Sequence, residues 1–467
     1  MATSKYKLVY STWVNCAQGH LPVANGNHLT VAKWIESTIN ETANPFSIYD
    51  RFSELESTFQ VKDSGIVYRH SNLYYYFKKH YGTENIISHD RIADDDSLYF
   101  YPYEVEGQNI NYFYSGFKFT QDGQQIEYNF VDSLPPVVLE HLRSGKLKIL
   151  IASTTEPTYG KDTLAYIEKG LSSIGIDPSN IYVAFGNTLT NYSGRLKQVT
   201  AHASLQQQAE IADKYPIERS SLGYPCDYPR VHELDNTRIR PKRFLCWNRT
   251  MNRPHRLAIA YIALKYDLLS DSTFSFIHGV SRHHIDDLRS LIDDSYNDIL
   301  ILASKIVSMI PYEVDTQDLT LDGKQGFQTN ENNKKEFYAD SYLHITSETC
   351  FDAHGSPFMS EKTFRPILNL QPFIYIGNYK GLEELRRLGF KTFDGYIDES
   401  YDLEPDPKKR FAMITAEILR FAKMSKEELH NWYHSVTDIL IYNQQHFLTF
   451  KDFNPLQNIF EGHDHGV

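Results

Sequence analysis

The sequence predicts an α/β protein in which two parallel-sheet domains face a cleft, and three features predict it. The chain has 467 residues, enough for two domains with cores of their own. Apolar strand-like runs alternate with helix-periodic ones between residues 134 and 187, and again from 243 to 377. A proline-rich stretch without sustained periodicity, "YPIERSSLGYPCDYPRVHELDNTRIRPK", lies between them. It sets the boundary near residue 238, giving an N-terminal domain of 1–238 and a C-terminal domain of 239–467.

In the first half, "YKLVYSTWV" reads as a strand and "LTVAKWIESTI" has helical spacing. Residues 80–130 are rich in Tyr, Phe, Asp and Gly and show no clean period. The pattern sharpens in "LPPVVLEHLRSGKLKILIASTTEPTYG", where an apolar-faced helix starts near Pro135 and Pro136, stops at Ser-Gly, and gives way to a buried strand over Leu147–Ala152. "KDTLAYIEKGLSSIGIDPSNIYVAFGN" repeats helix, glycine turn and strand. Successive strand–helix–strand units require a parallel sheet with crossover connections.

In the second half "RFLCW" is a short buried strand. "PHRLAIAYIALKY" is a helix with Leu257, Ala260, Tyr261 and Leu264 on one face. Residues 281–340 are polar and broken. "SYLHITSETC" is a strand, "SEKTFRPILNL" a helix kinked by Pro366, and "QPFIYIGN" the next strand. From 406 to 450 the pattern is helical, and the last dozen residues are expected to fray.

Composition narrows the function classes. There are 47 Lys and Arg against 59 Asp and Glu, a net charge of −12, which disfavours a protein that lives on duplex DNA. Cys16, Cys226, Cys246 and Cys350 have no paired spacing, so neither a zinc knuckle nor a disulfide framework is expected, and a cytoplasmic location fits. The N-terminus has no leader pattern, and the most apolar stretch, "DILILASKIVSMIPY", is shorter than the roughly 20 residues of a membrane span. The 33 tyrosines suit either a Tyr-rich core or a surface that stacks on sugars.

Charges at two strand ends carry the chemistry. Between Asn236 and Tyr266 the chain has no Asp or Glu, yet it carries Arg238, Arg240, Lys242, Arg243, Arg249, Arg253 and Arg256. The group in "WNRTMNRPHR" falls in the turn after one strand and at the head of the next helix. There backbone N–H groups, the helix dipole and guanidinium forks can converge on a diphosphate. One unit later come Glu361 and Lys362. A carboxylate can accept both hydroxyls of a ribose or hexose, and an ammonium can bind phosphate oxygens, so one nucleotide-linked sugar satisfies both.

These segments resemble a known family. "NRPHRLAIAYIAL" followed by "LHITSETCFDAHGSPFMSEKTFRPILNLQPFIYIG" looks like the donor-binding half of the α1,3-fucosyltransferases and related GT-B glycosyltransferases, which have two Rossmann-like domains. In that family an Arg opens a helix after an Asn-containing turn, and a FENS element precedes Tyr, Thr-Glu-Lys, helix and strand. The resemblance covers roughly residues 243–395. It implies a donor-phosphate role for Arg256, with Glu348 as the FENS Glu, Phe358 as the aromatic and Glu361–Lys362 as the donor-binding pair. Here "SETC" stands for FENS, Phe358 for Tyr and Ser360 for Thr. With Arg249 and Arg253 from the basic turn, the expected donor set is Arg249, Arg253, Arg256, Glu348, Phe358, Ser360, Glu361 and Lys362.

The expected reaction is an inverting, metal-independent transfer from a nucleotide-diphosphate sugar to an acceptor hydroxyl, with no further cofactor. It needs a base across from the donor, and Glu156 in "LIASTTEPTYG" follows a buried strand and suits that position. A metal-dependent reading would use Asp94 and Asp96 of "IADDDSLYF", and His463 and His465 form a weak terminal pair. Two other functions compete: a sugar- or nucleotide-binding module without catalysis, and a transferase whose acceptor is a modified base in DNA. The acceptor, a glycan or such a nucleobase, is not legible.

Overall fold

The computed structural model describes residues 5–10, 77, 80–88, 91–104, 117–119, 125–127, 134, 136–153, 162–185, 194–200, 238–278, 286, 288–310, 312, 335–351, 357–450, 456, 457 and 460. The chain divides into two compact units, residues 1–203 with 454–465, and 204–453 with the last two residues.

The first unit is a parallel sheet. Its strands are β1 (Tyr6–Tyr10), β2 (Ile86–Ser88) and β3 (Leu98–Glu104), then β6 (Leu147–Ser153), β7 (Ile181–Phe185) and β8 (Lys197–Thr200), with a two-stranded antiparallel ribbon of β4 (Phe117–Phe119) and β5 (Gln125–Glu127) outside it. The order is β2-β1-β3-β6-β7-β8, and every pair in it is parallel. Helices α1 (Pro136–Arg143) and α2 (Asp162–Ser172) make the predicted crossovers, and the two faces of the sheet bury separate apolar clusters. Residues 80–130, without a clean period, supply β2 and β3. The segment "LTVAKWIESTI" lies outside the described residues.

The end of the chain corrects an expectation. Leu456 and Phe460 are buried, and Phe460 stacks on Tyr6 at 4.7 Å and packs against Phe100 at 4.3 Å. Burying an aromatic of this size is worth about 1.5–3 kcal/mol, enough to hold Phe460 where sequence position alone suggests fraying.

The second unit is a four-stranded parallel sheet in the order β10-β9-β11-β12, built from β9 (Lys242–Thr250), β10 (Thr273–His278), β11 (Ser341–Ser347) and β12 (Phe373–Ile376). Both units are thus Rossmann-like, as the sequence predicts. Helix α3 (Pro254–Lys265) leads from β9 to β10. α4 (Tyr296–Met309) and α5 (Lys335–Asp340) precede β11, and α6 (Glu361–Leu368) leads to β12. Helices α7 (Gly381–Arg387), α8 (Pro407–Ala422), α9 (Lys426–Ser435) and α10 (Thr437–Thr449) complete it. The region expected to be broken contains α4, a regular helix capped by Ser295, whose hydroxyl accepts from Asp298 N.

Helix α3 departs from the one-faced pattern, since His255 through Ala263 are all buried. The sheet lies against one side of it and the apolar cluster that includes α4 lies against the other, so a polar face has no solvent to meet. Pro366 sits inside α6, which is short and ends two residues later. Among the described residues no helix is long and apolar enough to cross a membrane.

Candidate functional site

Strand order reverses between β9 and β11: β9 connects through α3 to β10 on one side, while β11 pairs on its other side. In an open parallel sheet such a switch point, at the carboxyl ends of the strands, is where ligands collect. Near the carboxyl ends of the two central strands, Asn248 of β9 pairs with Phe276 of β10 and Ser347 of β11 pairs with Ile376 of β12. Both polar residues are almost wholly buried, and Asn248 Oδ1 and Ser347 Oγ have no hydrogen-bond partner among the described residues. Sequence reading passed over them.

The first turn of α3 follows β9. Arg253 is the N-cap with no side-chain capping bond, and Pro254 holds the first helical position. His255 and Arg256 are buried, and both side chains donate to the main-chain carbonyl of Glu348, His255 Nε2 at 2.8 Å and Arg256 Nη2 at 3.2 Å. Burial, then the neighbouring Arg256, brings His255 down to about 3, so its ring is neutral. Burial and Arg253 also lower Arg256, while Glu348 and Glu361 oppose them. Arg249 lies near the end of β9 and its side chain is outside the described atoms.

The rest of the basic run is tied into the protein. Arg238 pairs with Asp340 at 2.7 Å. Arg240 is buried, bonds to the carbonyls of Tyr338 and Ser341, and lies 3.9 Å from the Tyr433 ring centre. Arg243 reaches Asp271 and the carbonyls at the end of α8.

The second half of the site is the head of α6. Ser360 caps it, its hydroxyl accepting from Lys362 N at 3.3 Å. Lys362 Nζ lies 2.7 Å from Glu361 Oε1 and 3.2 Å from Ser360 Oγ. Burial would raise Glu361, but Lys362 and Arg365 hold it down to about 2, so it is ionised. Both side chains keep roughly a third of their surface or less, at 26% for Lys362 and 32% for Glu361, enough to reach a ligand.

Glu348 and Phe358 are placed differently from a direct ligand contact. The Glu348 carboxylate is fully buried. It accepts from Ser360 N at 3.1 Å, Ser360 Oγ at 2.6 Å, Thr363 Oγ1 at 2.5 Å and Thr349 N at 3.3 Å. Phe358 is buried, and its carbonyl accepts from Tyr375 OH at 3.5 Å. The Tyr375 ring lies so close to Gly377 that a Cβ there would fall 2.2 Å from it, which accounts for the glycine in "YIGN". Arg256, Ser360, Glu361 and Lys362 are therefore assembled around Glu348, on the two helix heads that leave the central strands.

Of the remaining candidates, Glu156 lies outside the described residues, as do His463 and His465. Asp94 and Asp96 lie in an exposed bend, where Asp94 pairs with Lys146 at 3.4 Å, and the intervening Asp95 accepts from Ser97 N and Tyr99 OH. Among the described residues no group of three or more His, Cys, Asp or Glu is arranged to hold a metal ion.

No protein-family model matches the sequence, and no curated relative matches it. Among solved structures, an alpha,alpha-trehalose-phosphate synthase (UDP-forming) from Burkholderia vietnamiensis is similar at TM-score 0.33 and 11% identity, over 76% of this chain and 71% of that one. A structure described as "Trehalose-6-phosphate from E. coli bound with UDP-2-fluoro glucose" gives 0.29 and 13%, over 78% and 76%. The N-terminal domain of Candida albicans trehalose-6-phosphate phosphatase gives 0.36 and 10%, over 96% of each chain.

Proposed function

We propose that this protein is a glycosyltransferase that moves a sugar from a nucleotide-diphosphate donor to an acceptor hydroxyl, with inversion and without a metal ion. The observation that carries the reading is the convergence of Arg256 and Lys362 with an ionised Glu361 at the heads of two helices, beside the switch point of a parallel sheet. Helix N-termini and two cations favour a diphosphate, and the carboxylate supplies an acceptor pair for a sugar diol.

In this reading Arg256 and Lys362 neutralise the departing diphosphate, with the helix dipoles of α3 and α6. Arg253, at the head of α3, adds a further cation, and Arg249 is assigned to the donor set from its place in the sequence. Glu361 takes the ribose or hexose hydroxyls once Lys362 turns to phosphate. Ser360 sets the direction of the Lys362 ammonium. Phe358 and Glu348 support the donor segment from inside. Glu156, three residues after β6 in the sequence, is the base that removes the acceptor proton. The acceptor class is left open between a glycan and a modified nucleobase.

The test is a thermal-shift screen of nucleoside diphosphates and nucleotide sugars, followed by release of free nucleoside diphosphate from whichever sugar nucleotide binds. A ligand at 100 times its dissociation constant raises stability by about 2.7 kcal/mol, a shift easily read. Absence of any stabilisation across uridine, guanosine, adenosine, cytidine and thymidine diphosphates would reject the reading. Binding without any hydrolysis or transfer would favour a non-catalytic module.

A further inference from the structure

We infer that Glu348 is the positioning residue that sets the two cationic arms of the site against one ligand, an inference that rests on the donor-site reading above. The residue stands immediately after β11, at the switch point, and every polar group it has is used. Its N–H donates to the Ile376 carbonyl at the end of β12 at 2.9 Å. Its carbonyl receives His255 and Arg256 from the first turn of α3. Its carboxylate receives Ser360, Thr363 and Thr349, which fixes the first turn of α6. One residue thus ties two helix heads and a neighbouring strand.

The consequence for Lys362 follows from proton direction. Ser360 Oγ gives its single proton to Glu348 Oε2, so its lone pairs face Lys362 N and Nζ. A carboxylate accepts only, and it can therefore hold Ser360 in this sense without competing for Lys362. A carboxamide at the same place presents an NH2 group that donates to Ser360 Oγ and displaces the ammonium. A buried carboxylate without these donors would be costly, and its four partners explain how the charge is tolerated at zero exposure. The carbonyl does the corresponding work for Arg256, so a shift of residue 348 moves both arms together.

The experiment compares wild type with Glu348→Gln, Ser360→Ala, Lys362→Ala and the double variant Glu348→Gln/Lys362→Ala, using inorganic diphosphate, UDP and GDP as calorimetric probes. Circular dichroism and the melting temperature report folding. In Glu348→Gln and Ser360→Ala, diphosphate affinity should fall about 10-fold with the circular dichroism spectrum unchanged. In the Lys362→Ala background the Glu348→Gln step should weaken binding by less than about 3-fold, because the arm that the carboxylate orients is already gone and the carbonyl that holds Arg256 is kept. Equal losses in both backgrounds overturn the inference, since a general packing defect adds independently.

A second readout needs no ligand. Amide hydrogen exchange should quicken in Glu348→Gln at both 253–260 and 357–364, while peptides of α8 keep their protection. Loosening confined to 357–364 overturns the coupling. If wild type binds none of the three probes the donor-site reading fails, and the exchange arm still decides the role of Glu348. If Glu348→Gln does not fold, Ser360→Ala alone and in the Lys362→Ala background decides it by the same criterion.

Discussion

The carboxylate of Glu361 and the ammonium of Lys362 face each other across 2.7 Å at the head of α6, next to one another in sequence. Adjacent residues on a helix usually point apart. Here the first turn lets them meet, so the cation proposed to bind phosphate is paired with a built-in anion. Lys362→Ala is expected to weaken nucleoside-diphosphate binding by about 1.5–3 kcal/mol, the range of a charge-assisted contact. Glu361→Gln should act in the opposite direction on inorganic diphosphate, strengthening it, while weakening ligands that carry a ribose diol. Titration calorimetry with diphosphate, UDP and 2′-deoxy-UDP reads both effects. Equal changes for all three ligands would remove the diol role from Glu361.

Arg256 should behave as a ligand arm whose removal is felt in binding. Arg256→Ala is predicted to cost about 1.5–3 kcal/mol of diphosphate affinity. Arg256→Lys should recover only part of it, because a point charge lacks the guanidinium fork that also holds the Glu348 carbonyl. Calorimetry on a variant with a native circular dichroism spectrum decides this. Global unfolding of Arg256→Lys would make the arginine a structural strut.

Transfer or hydrolysis of the sugar nucleotide should survive saturating EDTA nearly unchanged, since cationic side chains and helix termini neutralise the leaving group. Complete loss restored by Mn²⁺ would return attention to Asp94 and Asp96.

Glu156→Gln should lower turnover about 10²–10⁴-fold while leaving donor affinity intact, the signature of a lost general base. Loss of donor affinity would assign Glu156 to the donor side, and an unchanged rate would make it a loop carboxylate.

Stability should depend on pH through three buried groups with opposite signs. Burial, assisted by nearby arginines, lowers His255 and His344 to about 3, so between pH 3 and 6.5 the unfolded chain binds more protons and stability is lost on acidification. Burial raises Glu399 to about 7 against the opposing bonds of Thr392, Phe393 and Arg386, so its contribution is present below pH 4.5 and lost as pH rises to 7. From pH 4.5 to 6.5 the net of these three groups is one proton, or about 1.4 kcal/mol gained per unit of rising pH; below 4.5 Glu399 no longer opposes the histidines and Glu361, held down to about 2, adds to the loss on acidification, so the slope steepens. Urea melts at half-unit intervals measure the slope. Glu399→Gln should be more stable than wild type at pH 8 and should steepen the rise from 4.5 to 6.5; a parallel curve would discount Glu399.

Much of the fold around this candidate site was legible in the sequence. The strands at 147–153, 181–185, 341–347 and 373–376 stand where apolar runs end in turn residues. Arg256, Glu361 and Lys362 were visible because charges at helix heads after buried strands have few structural uses. Arg238, Arg240 and Arg243 belong to the same basic run, and their partners, Asp340, the Tyr338 carbonyl and Asp271, lie from 28 to 102 residues away, where no local pattern reveals them. Asn248 and Ser347 were missed for the same reason, since their burial near the ends of two neighbouring strands follows from the strand order.

The sequence by itself determined the alternation of strands and helices, the parallel connections and the charges set at the helix heads, because periodicity and capping act within a few residues. Tertiary structure decided the strand order β10-β9-β11-β12 and the all-round burial of α3. It turned Glu348 from a ligand candidate into the knot between α3 and α6, and returned Leu456 and Phe460 to the first unit. Those outcomes depend on which groups meet after the chain closes loops of tens to hundreds of residues, where burial and hydrogen-bond satisfaction, not local preference, set the energy.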